Sequence, residues 1–501
     1  MYSSGPGWNA YRVFVYGGIN GVPCQILYSI YENVTRGITP PAEFVDALMV
    51  FIPKDLQSEN PSDDGSRKAD GVRPLCLGNC AAKIITAAVV QPLVGLSQTL
   101  IDKDQFGMIK GIQITDNILE FETDGLCASI CSTEGDAALL LTDFRNAFPS
   151  LLHEWIFFVL ECMNIPVFII VFLRFLYENA TADIVYNGKQ YELKITFKRG
   201  VRQGGTESGV VFVFALDPLL RWLKARVLRP RDSIKAYADD CGLAVGSLRL
   251  ALPRILRGFH VLNIVAGLEL SIPKCQIVLL GSWGVECCKA YLKCWFSEFN
   301  VRSAGTDKYI DFSACKVGRA GKHLGVRVGP GCREELWIKG GRKMASVTSE
   351  IRGKRLGLPR SIVLYNRNAL PCILYPAQLF EPDKPILALE AHCMQKITAA
   401  PYRSISSKTL WNLGSIGFSF QMRDLATTSR AARTRVAYKS SSFLRCVAKY
   451  RETLESYESI LSANSSFWRK RWYVVSSLAS ITNAYESSFQ LCKSIKCGKN
   501  F

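Results

Sequence analysis

The sequence predicts an α+β fold, and three observations carry that reading. Short apolar runs that meet carboxylates recur, first "AALLLTD" at 137–143 and then "IKAYADDCGLAV" at 234–245. A strong hairpin signal, Asn187-Gly188, sits inside the alternating stretch "ADIVYNGKQYELKITF" at 182–197. Segments with helical spacing lie between these strands, and no regular strand–helix–strand alternation links them.

In chain order, "FVDALMVFIPK" is an apolar segment that leads into a polar insertion, "KDLQSENPSDDGSRKADG" at 54–71, which reads as a surface loop. "VRPLCLGNCAAKIITAAVVQPLVGL" at 72–96 starts irregular and continues as a helix. "AALLLTD" reads as a buried strand that delivers Asp143 to its end. The most apolar stretch, 155–177, is interrupted by Glu161, Asn164, Pro166 and Arg174, so it reads as two buried helices and not as a membrane span. "KRGVRQGGTESG" at 198–209 packs four glycines and three cations into a turn, and a helix follows it. Residues 262–281 give a helix end and then a strand after Pro273-Lys274, and 322–331 give a further short strand. Beyond 335 the chain reads as mostly helical.

Bulk properties narrow the function. The chain has 501 residues, 48% of them apolar and 21% charged, which places it among globular proteins with room for a sizeable core. Lys and Arg outnumber Asp and Glu by 61 to 43, for a formal charge of +18 that suits a polyanion such as nucleic acid. The basic residues are dense from Lys316 to Arg360, where 12 Lys or Arg face three Glu. The opening "MYSSGPGWNAYRVFVYGG" does not read as a signal peptide, so the 18 cysteines are expected as free thiols in a reducing compartment. Cys76 and Cys80, and Cys127 and Cys131, are close pairs, but no second pair completes a zinc-finger spacing.

Asp239 and Asp240 pose the sharpest question. Two adjacent carboxylates repel, and burying either without a positive partner is costly, so a lysine, an arginine or a metal ion should offset them. A pair of aspartates taken alone fits an ordinary surface turn. With Asp143 at a second strand end, three carboxylates converge into a hard oxygen site suited to Mg²⁺.

The flanking residues resemble a known family. "AYADD" resembles the catalytic hairpin of reverse transcriptases, in the form found in non-LTR retrotransposons and group II introns. "LLLTDFRNAF" (139–148), "RGVRQGG" (199–205), "GLELSIPKC" (267–275) and "HLGVRV" (323–328) are similar to the family's palm motifs. "FIPK" (51–54), "VRPLCLGNCAAKII" (72–85) and "DQFGMIKGIQITDNI" (104–118) are similar to finger motifs of the non-LTR class. "GGINGVPCQIL" (17–27) and "YNRNALPCILY" (365–375) resemble its N-terminal segment and the start of its thumb. The resemblance spans roughly 17–380 in the family's order.

It implies a right-hand polymerase with fingers at 1–135, a palm with the catalytic hairpin and finger insertions at 136–315, a basic helical thumb at 316–440 and a helical tail at 441–501. It implies an RNA-directed DNA polymerase that uses an RNA template, a DNA primer and dNTPs, with two Mg²⁺ ions or Mn²⁺ in their place. Asp143, Asp239, Asp240 and the carbonyl of Phe144 take the metal positions, and Lys274 the position that protonates the leaving pyrophosphate. Lys54 and Arg73 match triphosphate contacts, Gln203 and Gly204 line the nucleotide pocket, and Phe148 matches the gate against a ribose 2′-OH. Phe148 in a plain core and Arg73 in a loop salt bridge are the alternatives.

The chain departs from the family at "RQGGTESGVVF", where a proline-fixed turn is usual, and at His323, where tyrosine is usual. No endonuclease pattern is recognised, which suggests a reading frame reduced to the polymerase core. The competing functions are a catalytically silent RNA-binding relic and a group II intron maturase, with a telomerase-like enzyme further off. No membrane partner is expected, and the expected location is cytoplasm and nucleus, as a ribonucleoprotein. "FWRKRWY" at 467–473 alternates aromatics with cations, which suits either RNA stacking or a helix with buried tryptophans.

Overall fold

The computed structural model describes residues 21–54, 71–186, 188–229, 231–298, 312–398, 404–457, 472–473 and 476–497. The expected loop at 55–70, residues 17–20, Asn187 and residues 467–471 lie outside them. Eleven strands among the described residues form three sheets: β1 (Ala47–Pro53), β2 (Val72–Gly78), β3 (Ala138–Thr142), β4 (Thr181–Tyr186), β5 (Lys189–Thr196), β6 (Ser233–Tyr237), β7 (Asp240–Val245), β8 (Gln276–Leu279), β9 (Lys316–Gly318), β10 (Gly321–His323) and β11 (Val326–Val328).

The central sheet has the order β6-β7-β3-β8-β9. Every residue of β3 is buried. Its leucines serve both faces: Leu140 packs with Phe144, Leu243 and Ile277, while Leu139 and Leu141 pack with Ile118, Phe121 and Val278. A strand covered on both sides needs a continuous apolar run, which is what "LLL" supplies. Each fully buried leucine contributes about 1.5–3 kcal/mol relative to exposure. Against the first face lie the helices His153–Cys162, Ser208–Arg226 and Leu248–Ala266; against the second lies the helix Ile114–Cys131.

The apolar stretch 155–177 forms two helices, His153–Cys162 and Val167–Glu178. They part at Asn164, whose φ is 53°, and at Pro166, which cannot continue the first helix. Among the described residues one helix, Cys80–Leu100, has the length and apolar composition to cross a membrane, properties that a core helix shares. Its Ile85, Val89, Val90 and Leu93 are buried in the protein.

The second sheet has the order β2-β1-β4-β5, with β1 antiparallel to β2 and parallel to β4. The 199–205 turn is fastened to it where the Cys76 amide donates to the Gln203 carbonyl at 2.8 Å. From 338 onward the described chain is mostly helical, and its last helices fold back on the helix Ile114–Cys131 that covers the central sheet. The helix Phe443–Tyr457 packs along Ile114–Cys131, where Lys449 reaches Asp124 at 2.6 Å and Arg445 reaches Glu120 at 3.0 Å. Trp472 is fully buried, its Nε1 donating to Glu122 at 3.2 Å, so it belongs to the core and not to an RNA-stacking face. Tyr473 stacks on Tyr450 with ring centres 4.7 Å apart.

Candidate active site

Register brings the carboxylates together. The antiparallel ladder pairs Thr142 of β3 with Cys241 of β7, so the next step of the ladder sets Asp143 beside Asp240. β6 and β7 close through two loop residues, Ala238 and Asp239, with Tyr237 opposite Asp240. Ala238 has φ 54°, a left-handed value at the first loop position, where a two-residue hairpin normally uses glycine. Holding an alanine there costs on the order of 1–2 kcal/mol.

The electrostatics record the crowding. Desolvation pushes the Asp239 carboxyl up, Asp143 adds to the shift, and Arg73 opposes it. Desolvation, then Asp239 and Asp143, push Asp240 up to about 6, with Lys322 opposing. Lys274 Nζ lies 3.7 Å from Asp143 Oδ1, with both side chains well exposed (59% and 40%). Such a pair is worth at most about 1 kcal/mol, so it balances only part of the local charge.

The other predicted residues lie on several elements. Phe144 is buried and bridges Leu270; that bridge uses the Asp143 carbonyl and the Arg145 amide and leaves the Phe144 carbonyl out of the pairing. Lys54, just past β1, reaches Asn146 Oδ1 at 3.4 Å, three residues beyond Asp143. Arg73 is exposed on β2, opposite Ile52. Gly204 has φ 107°, and a Cβ there would stand 2.6 Å from the Cys76 carbonyl oxygen, so the turn needs glycine. Gln203 is held at its backbone by the same residue. In place of the family's proline, Arg202 sets the turn: it donates to the Val45 carbonyl at 3.1 Å and lies 3.7 Å from buried Glu207. Phe148 is half-buried and stacks on Phe212, ring centres 4.6 Å apart and planes 11° apart. The structure thus groups Asp143, Asp239, Asp240, Lys274 and Arg73 by contact or charge. Lys54 reaches the segment just past Asp143, whereas Gln203 and Gly204 are fastened to Cys76 of β2 in the second sheet.

Among the described residues, no three His, Cys, Asp or Glu side chains close into a ready-made metal cage. The donor set nevertheless fits a divalent cation. It is made of hard oxygens, it is open on the Asp143 side, and burial, with the neighbouring carboxylates adding to it, makes Asp239 and Asp240 resist ionisation. An open set of this kind leaves positions for a substrate's phosphates.

Sequence reasoning passed over several residues that shape the site. Lys322 on β10 lies within electrostatic range of Asp240. Asn117 Nδ2 donates to the Ala236 carbonyl at 3.1 Å, so its Oδ1 accepts from His323 Nε2 at 2.8 Å. That fixes the His323 tautomer, and burial keeps the ring neutral, its pKa pushed down to about 3. Tyr375 of the helix Pro371–Ala377 donates to the Leu324 carbonyl at 2.7 Å, just after β10. Asn117, His323 and Tyr375 sit inside the quoted motifs and Lys322 just before one of them, which is the one signal that marked them.

Three comparisons with known proteins show what the chain is similar to. The family model described as "Reverse transcriptase (RNA-dependent DNA polymerase)" matches residues 60–327. An uncharacterized 149 kDa protein of transposon TX1 from Xenopus laevis is 28% identical over 272 residues. That alignment covers 50% of this chain, and the chain spans 20% of the relative's length. Telomerase of Candida tropicalis aligns over 89% of this chain and 74% of its own, at 11% identity and a TM-score of 0.42. Telomerase of Candida albicans, solved with a fragment of telomeric RNA, aligns over 89% and 70%, at 9% identity and a TM-score of 0.41. The family match takes in β3, the β6–β7 hairpin and β8 of the central sheet. Members of this family use divalent metal ions. With more than half of its length inside the match, the chain belongs to the reverse transcriptase (RNA-dependent DNA polymerase) family.

Proposed function

We propose that the protein is an RNA-directed DNA polymerase of the non-LTR retrotransposon class, extending a DNA primer 3′-OH along an RNA template with dNTPs. The observation that carries this reading is the meeting of Asp143, Asp239 and Asp240 at neighbouring strand ends. Asp143 and Asp239, with Asp240 and the Phe144 carbonyl, would hold two Mg²⁺ ions, with Mn²⁺ as the substitute. When bound, such ions lower the pKa of the attacking hydroxyl and neutralise charge on the leaving phosphates. Arg73 and Lys54 bind the triphosphate, and their charge grows in value as negative charge moves to the leaving group. Lys274, beside Asp143, delivers a proton to the departing pyrophosphate. Gln203 and Gly204 bound the nucleotide pocket from the 199–205 turn.

We assign the fingers to 1–135, the palm with finger insertions to 136–315, the thumb to 316–440 and the tail to 441–501. The protein acts as a ribonucleoprotein in cytoplasm and nucleus. The helix Ile338–Gly353 supports the nucleic-acid reading: Met344, Thr348 and Ile351 are buried, while Arg342, Lys343 and Arg352 face solvent. Reversing Arg342, Arg352 and Arg355 to glutamate is expected to weaken template–primer binding. It should also flatten the salt dependence by about 0.9 in log–log slope for each phosphate no longer neutralised. An unchanged slope in a titration of salt against affinity would reduce this face to solvated surface.

Phe148→Ala tests the gate. The stacked ring fills space beside the nucleotide pocket, so its loss should raise rNTP incorporation relative to dNTP by about tenfold or more. An unchanged sugar preference would make Phe148 a packing residue only.

The deciding experiment is primer extension by purified protein on an annealed RNA template with dNTPs and Mg²⁺, beside an Asp239→Asn/Asp240→Asn control. Extension that disappears in the control supports the polymerase. Tight RNA binding with no extension points to the silent relic.

A further inference from the structure

Resting on the polymerase reading, we infer that Gln105 is a positioning residue: its carboxamide holds the catalytic turn in its left-handed conformation and so aims Asp239 at Asp143. Gln105 is buried, 1% exposed, in the segment that runs alongside β6. The Ala238 amide donates to Gln105 Oε1 at 2.9 Å, and Gln105 Nε2 stands 3.5 Å from the Ala238 carbonyl. One side chain therefore brackets both backbone polar groups of the strained residue, immediately before the aspartate. The Gly107 amide donates to the same Oε1 at 2.9 Å and fixes the carboxamide's orientation.

The backbone around Gln105 is built for this approach. The Ala236 amide donates to the Asp104 carbonyl, and the Phe106 amide donates to the Ala236 carbonyl, each at 2.8 Å. A Cβ on Gly107 would lie 2.3 Å from the Ala238 nitrogen, so only glycine lets this segment reach the turn. The sequence "QFG" at 105–107 thus supplies an amide, a filler and a gap in that order. The turn needs such support because alanine, unlike glycine, does not favour a positive φ on its own. Gln105 touches no substrate in this role; it acts through Ala238.

The test compares wild type, Gln105→Met, and Gln105→Met combined with Ala238→Gly. Methionine keeps the length and packing of glutamine but neither hydrogen bond, and glycine adopts the positive φ without help. Gln105→Met is expected to speed backbone hydrogen exchange at Ala238 about tenfold. It should lower kcat for single-nucleotide incorporation about 10- to 100-fold, with KM for dNTP and primer–template affinity within about twofold. Adding Ala238→Gly is expected to restore most of the lost kcat, a rescue that a general loss of core stability does not give. Gln105→Asn, whose shorter amide keeps the polarity without the reach, is expected to lose exchange protection and kcat as Gln105→Met does. Wild-type exchange and wild-type kcat in both variants would overturn the inference, as would a loss of kcat that Ala238→Gly leaves untouched. Hydrogen exchange needs no substrate. If the wild-type protein extends no primer, the polymerase reading fails alone, and unchanged exchange at Ala238 would still overturn the role of Gln105.

Discussion

Asp239→Asn is expected to cut nucleotide incorporation by more than about 10²-fold while leaving the protein folded. The substitution removes one of three converging charges and keeps the size of the side chain. Desolvation and the neighbouring Asp143 already push the Asp239 carboxyl up, so its ionised form is a burden on the folded state. A neutral amide lifts that burden, and the melting temperature should hold or rise. The opposite movement of activity and stability marks a group retained for its chemistry. Primer extension and a thermal melt on the same preparation check both halves. Retained incorporation would remove Asp239 from the metal ligands. A collapsed melt would show that its role is structural.

Glu122→Gln is expected to flatten the pH dependence of stability. Glu122 is fully buried and accepts from Trp472 Nε1 at 3.2 Å, from the Ser477 amide at 2.7 Å and from the Ser477 hydroxyl. Burial pushes its carboxyl from 4.5 up to about 7, and these three donors only partly offset the shift. Between those values the folded protein keeps a proton that the unfolded chain releases, so stability falls as pH rises from about 4.5 to about 7. The fall attributable to this group is on the order of 3 kcal/mol. Glutamine matches the neutral acid and titrates nowhere in the range. Glu390, pushed up to about 8 by burial, adds a slope of the same sign, so the variant keeps a shallower dependence. Urea unfolding midpoints taken across this range decide the matter: parallel curves for wild type and variant would mean that Glu122 is ionised throughout.

The placement of the three aspartates was legible because it is written locally. An apolar run that ends in Asp143, a turn holding Asp239 and Asp240, and a break at Asn164 and Pro166 each need only neighbouring residues to be read. What supports the site was not legible, because its partners are far apart in the chain. Gln105 meets Ala238 across 133 residues, and Trp472 meets Glu122 across 350. Periodicity marked Trp472 as one member of an alternating aromatic and basic stretch and could not say which face would be covered. Lys235 sat inside an apolar run with no visible partner; in the fold, Asp104 and Glu120 close on its ammonium at 2.5 and 2.6 Å. The "RQGGTESG" turn lacked the expected proline, and only the three-dimensional arrangement identifies the Arg202–Glu207 pair that stands in for it.

The helix Ile114–Cys131 bears on how the protein is made. Glu120, Glu122 and Asp124 leave the ribosome early, yet Arg445, Lys449 and Ser477 follow 325 to 355 residues later. At roughly 10 residues per second, that gap lasts on the order of half a minute. During that time Lys235 pairs with Glu120 and Asp124, while Glu122 and the apolar face beside it wait for Trp472 and Ser477. Final closure of the polymerase core is therefore a late event of synthesis. Frameshifts or stop codons ahead of Trp472 are expected to give aggregation-prone chains even though Asp143, Asp239 and Asp240 have already been translated.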